Sequence, residues 1–131
     1  MNRSRRIDLH LHRWRRRRHT PTTEDSAPTP PHAYWCEVIA HTPDDGRTFW
    51  LGSHPTTSPR LALRWLRHRA RHISDQLDPP AARPVLHWLD DNQEHERAMA
   101  VLTHGALYTH TIFDDTVHYL LTARPTTRPR P

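Results

Sequence analysis

The stretch SPRLALRWLRHRARHISDQL, residues 58–77, decides how the chain is read. Ser58 followed by Pro59 is a cap followed by proline at the first helical position, where the missing N–H costs no intrahelical bond. Ala62, Trp65, Leu66, Ala70, Ile73 and Leu77 then recur at helical spacing and make one apolar stripe. Arg60, Arg64, Arg67 and Arg71 line the opposite side. Arg69 falls inside the stripe, so its guanidinium is expected to snorkel to the edge or to meet a carboxylate such as Glu37 or Glu94. Asp78-Pro79-Pro80 is expected to stop the helix.

Before this helix, Tyr34 to His41 and Arg47 to Ser53 are rich in aromatic and β-branched residues, with turn chemistry at Pro43-Asp44-Asp45-Gly46 between them. Pairing across that turn puts Cys36, Val38, Ala40, Phe49 and Leu51 on one face and Trp35, Ile39, His41, Thr48 and Trp50 on the other. A bulge at Gly46 would change which residues face each other. After the helix, Val85 to Leu89 reads as a short strand. Asp91-Asn92-Gln93-Glu94 resembles a capping box opening a second helix with Ala98, Val101 and Leu102 buried, which Gly105 ends. Leu107 to Phe113 and Val117 to Thr122 form a second hairpin through Asp114-Asp115, with Tyr108, His110, Ile112, Val117, Tyr119 and Leu121 on its core face. The expectation is a two-layer α+β domain in the order ββαβαββ, with about five mainly antiparallel strands covered on one face by two helices.

The 131 residues bound the chain to one such core, and 13 prolines with only 34% hydrophobic residues leave part of it too polar to pack. The domain is assigned to residues 32–123, flanked by an Arg- and Pro-rich arm at 1–31 and an Arg- and Pro-rich tail at 124–131, both expected to be disordered. No apolar run is long enough for a membrane span or a secretory signal, so no membrane partner and a cytoplasmic location are expected. The lone Cys36 has no partner for an internal disulfide.

The formal charge of +5 divides unevenly. Residues 1–31 hold eight Arg against three acids and residues 124–131 hold three Arg, while residues 32–123 hold eight Arg against eleven acids, a net of −3. Basicity therefore belongs to the arm, the tail and the locally basic helix face. Within the arm, Arg13, Trp14, Arg15, Arg16, Arg17 and Arg18 combine guanidinium forks with an aromatic plane, a composition that suits phosphate and base contact. Arg60 sits at the positive end of its helix and Asp75 and Asp78 at the negative end, which opposes the macrodipole, so local helix stability did not choose the stripe. A solvated face accounts for it as readily as a phosphate backbone or an acidic protein surface.

The leading expectation is a small non-enzymatic accessory protein that binds DNA or RNA through the arm and the face of Arg60, Arg64, Arg67 and Arg71. An alternative of another class is a homodimer or protein-interaction domain that uses Trp35, Ile39 and Trp50 on the uncovered sheet face. A third is a small ribonuclease-like toxin built on His110, Tyr119 and Arg69. His10-x-His12 and His68-x3-His72 have pairwise metal spacing but no third ligand fixed by sequence, and no metal or cofactor is expected. With three glycines there is no Gly-rich phosphate loop. Limited proteolysis of the full chain should leave a stable fragment near His32 to Arg124; cleavage inside the 58–77 helix as the first event would contradict the assigned boundaries.

Overall fold

The structure is a computed structural model and describes residues 33–126; the arm and the last five residues of the tail lie outside the described residues. The elements are β1 (Tyr34–Thr42), β2 (Arg47–Thr56), α1 (Pro59–Ser74), α2 (Pro79–Leu89), α3 (Asn92–Thr103), β3 (Tyr108–Phe113) and β4 (His118–Pro125). The four strands make one antiparallel sheet in the order β2-β1-β4-β3, so the N- and C-terminal strands of the domain are its central pair. Alternation on β1 buries Tyr34, Cys36, Val38 and Ala40, and the same face of β3 and β4 buries Tyr108, Ile112, Leu121 and Ala123. All three helices lie on this face. Cys36 Sγ approaches the Ala62 carbonyl of α1 at 3.9 Å, the Tyr34 hydroxyl donates to the Leu102 carbonyl of α3 at 3.2 Å, and Trp88 Nε1 of α2 donates to the Tyr108 hydroxyl at 3.1 Å.

The two-layer α+β class and the antiparallel sheet agree with the sequence reading, but the order is ββαααββ, with four strands and three helices. The expected strand Val85 to Leu89 is the second half of α2. Asp78-Pro79-Pro80, read as a stop, starts that helix, with Asp78 in the cap position and proline in the first turn. Ala82, Val85, Trp88 and Leu89 are its buried residues, and their three- and four-residue spacing is helical. The bulge lies not at Gly46 but on β2 opposite Val38 and Ile39, whose partners are Gly52 and Trp50 and leave Leu51 as the extra residue. The last strand runs to Pro125, so Arg124 and Pro125, assigned to the tail, belong to the sheet.

In the first hairpin Cys36, Val38 and Ala40 point to the helices as expected, and Trp35, Ile39 and Trp50 share the other face with Leu120 and Phe113, but Phe49, paired with Ala40, is exposed and Leu51 falls in the bulge and is exposed too. Asp91 caps the last helix as expected, its side chain accepting the Glu94 N–H at 3.1 Å, but the box is not closed, because the Asp91 N–H donates to the Trp88 carbonyl and the Glu94 carboxylate accepts from Arg97 and Tyr108. Leu66 is fully buried at the middle of α1. Leu66→Ala should destabilise the domain by about 2–5 kcal/mol in denaturant unfolding, and a loss under 1 kcal/mol would mean that α1 is not the main lid of the sheet.

Candidate nucleic-acid interface

Helix α1 begins where the Ser58 hydroxyl accepts the Leu61 N–H at 3.1 Å, and it buries Ala62, Leu63, Leu66, Ala70, Ile73 and Ser74. The four stripe arginines are not equivalent. Arg60, Arg64 and Arg71 are exposed, whereas Arg67 is half-buried and its Nη2 donates to the Leu89 carbonyl at 3.2 Å, tying α1 to the end of α2. Arg67 is thus a structural residue more than a free cation, because α2, whose second half reads as a strand in the sequence, supplies the Leu89 carbonyl within its reach. Arg69 meets neither Glu37 nor Glu94. Its guanidinium lies against the Trp65 ring at 5.4 Å and donates from Nη2 to the Leu51 carbonyl at 3.2 Å, directly over Gly52, where a Cβ would stand 3.2 Å from Nη1. Glu37 is on the opposite sheet face, paired with Arg124 at 3.8 Å.

Beside α1 a groove of about 500 Å³ is lined by His54, Pro55, Thr56, Leu61, Arg64, Trp65 and His68, among others, with no carboxylate. The His54 and Trp65 rings are parallel, 5° apart with centroids separated by 6.1 Å. The groove joins the exposed Arg64 to an aromatic wall, which sequence reasoning missed because His54 reaches Trp65 only through the β1–β2 register. His68 and His72 have ring centroids 4.4 Å apart, and among the described residues no third His, Cys, Asp or Glu completes a metal-binding group with them.

Charge is also sorted along the molecule. Tyr34 pairs with Thr56 and with Pro125, and the Thr126 N–H donates to the Ala33 carbonyl at 2.8 Å, so residues 1–32 and 127–131 join the domain at the end where α1 begins. The β1–β2 and β3–β4 turns, with Asp44, Asp45, Asp114 and Asp115, are at the other end, and Asp75 and Asp78 follow α1 there. Helix α1 has five Arg and no acid, while the other described residues have four Arg against eleven acids. Arg13, Trp14, Arg15, Arg16, Arg17 and Arg18 lie outside the described residues.

The ribonuclease-like set is not assembled. Arg69 and Tyr119 line a second groove of about 540 Å³, but His110 stacks on Trp88 at 4.2 Å and is not part of it. Instead, His110 belongs to a cluster on α2, α3 and β3. Arg97 makes a two-pronged pair with Glu94 at 3.0 and 2.9 Å, Glu94 accepts the Tyr108 hydroxyl at 2.8 Å, and His95 meets the edge of Trp88. The bonds from Arg97 hold the Glu94 carboxyl down to about 2, while burial pushes the Tyr108 hydroxyl up to about 12 and the His110 imidazole down to about 4. Only the i,i+3 spacing of Glu94 and Arg97 announces this cluster in the sequence.

No family model matches the chain, and neither a curated protein nor a solved structure matches it.

A depressed histidine leaves the unfolded chain binding more protons below its ordinary value, so the His110 contribution is full above about pH 6.5 and fades as pH falls toward 4; Glu94 extends the loss below about 4.5. The melting temperature should therefore fall by several degrees between pH 7 and 4.5, and His110→Phe, which keeps a ring on Trp88, should flatten that segment. Parallel curves for the two proteins would show that His110 does not set the slope.

Proposed function

We propose that this domain is a small cytoplasmic accessory protein that binds DNA or RNA, working as a binding module and not as an enzyme. The single observation that supports it most is the segregation of charge: an acid-free helix with five arginines starts at the end of the domain where the Arg-rich flanking segments join, with the aspartate-bearing turns at the far end. A polyanion meets the end that carries Arg60, Arg64 and the flanking arginines first, which orients it before any contact is made. Arg60, Arg64 and Arg71 of α1 reach phosphates, and Arg13, Arg15, Arg16, Arg17 and Arg18 add charge from the arm with Trp14 as a stacking plane. The Trp65–His54 groove beside Arg64 gives an unpaired base an aromatic wall. Arg67 contributes through its hold on α2 and so positions the face.

Fluorescence anisotropy with labelled single-stranded and duplex oligonucleotides tests this. Arg60→Glu with Arg64→Glu, both on exposed positions, should leave the melting temperature nearly unchanged and weaken binding at least tenfold. The plot of log Kd against log salt should become shallower by roughly 1.5, the share of two phosphate contacts. Unchanged affinity and slope would remove α1 as the contact surface.

A further inference from the structure

The helices leave the second face of the sheet without any described element on it. Register places Trp50, Ile39, Leu120 and Thr111 in one row across β2, β1, β4 and β3, and Thr48, His41, His118 and Phe113 in the next. Trp50 is 64% exposed and Phe113 62% exposed, large values for aromatics on a sheet. The charged residues of this face are Glu37 and Arg124, which pair with each other at 3.8 Å, so the face is electrically closed and gives a phosphate backbone no free arginine.

We propose that this face is the interface of a two-fold dimer, a second copy of the chain packing its own sheet face antiparallel against it around Trp50, Ile39 and Leu120. Three features favour a second copy. A face without net charge, with an apolar row at Trp50, Ile39 and Leu120 among threonines and histidines and with its one charge pair closed on itself, is matched best by a surface of the same kind, which a copy supplies. The aspartates of the two turns, Asp44, Asp45, Asp114 and Asp115, share one end of the strands and set the direction, because antiparallel stacking keeps these turns of the two protomers apart, whereas parallel stacking superposes them. Four strands about 4.8 Å apart and about eight residues long at roughly 3.4 Å each offer close to 500 Å² of projected area, about 1,000 Å² over two copies, which is the size a specific interface needs. Face-to-face sheets pack with their strands within about 30° of one another, and the side chains of the two rows then interdigitate as a sandwich core.

Sedimentation equilibrium of the full chain from about 1 to 200 µM tests the proposal independently of nucleic-acid binding. Wild type should reach dimer, and Trp50→Ala with Phe113→Ala should raise the dimer Kd at least tenfold with unchanged far-UV circular dichroism. Thr111→Arg, which keeps every aromatic and puts a charge in the central row, should do the same if the double variant unfolds. Raising the salt from 0.1 to 0.5 M should leave the dimer no tighter, and a dimer that tightens as salt screens superposed aspartates would overturn the antiparallel direction. A wild type that stays monomeric at 200 µM would overturn the proposal, including by cover from the chain's own residues 1–32. So would a dimer indifferent to all these substitutions, or variants that lose only affinity for single strands, the mark of a base-stacking platform.

Discussion

Helix α1 lies on the central strand pair with one face packed to zero exposure at Ala62, Leu66 and Ala70, against strands whose Cys36, Val38, Leu121 and Ala123 are equally dry. Small residues at these contact points let helix and sheet approach closely, and the Cys36 thiol, pushed up to about 12 by burial, is a packing atom with no thiolate character. The rest of the domain is arranged around that contact. Because β1 and β4 are the strands next to the flanking segments in sequence, the sheet cannot close until the last strand is in place, and α2 and α3 then cover what α1 leaves open over β3.

The cost of this contact falls on two arginines. A helix with five Arg in sixteen residues cannot point all of them to solvent while keeping a stripe wide enough to cover two strands. Arg67 and Arg69 sit at the two margins of the stripe, lay their stems along it and end on main-chain carbonyls of Leu89 and Leu51. Each keeps a buried Nε without a hydrogen-bond partner, so neither pairing is complete, but both charges are held on oxygens that the α2 terminus and the β2 bulge would otherwise leave to water. Gly52 belongs to the same arrangement, since any side chain there would press on the Arg69 guanidinium.

What the sequence carried follows from the range of the physics involved. Period and capping are local, so the start and stripe of α1, the cap of α3 and the two faces of β1 and of the second hairpin were legible. The Val85–Leu89 segment reads as a strand in sequence because a short apolar run fits strand and helix alike, and only the packed α2, which accommodates Pro84 on its exposed side, decides between them. The ends of Arg67 and Arg69, the Trp65–His54 wall and the Trp88 seat of His110 were hidden for a different reason. Each depends on a partner that only tertiary packing brings within reach.

The two ends of the domain also differ in how far local structure explains their charge. Asp45 accepts from the Thr42 hydroxyl and from the Arg47 N–H, Asp114 accepts from the Asp115 N–H, and Asp75 and Asp78 occupy a helix end and a helix start. Turn and cap chemistry therefore suffices to place aspartates there. No such account exists for Arg60, which stands in the first turn of α1, where the helix dipole disfavours a cation, and neither Arg60 nor Arg64 makes an ion pair among the described residues. An acidic residue in that turn would stabilise the helix more. A cation placed against local preference, on an exposed face with an aromatic groove beside Arg64, is therefore the feature on which the proposed contact with an anionic partner rests.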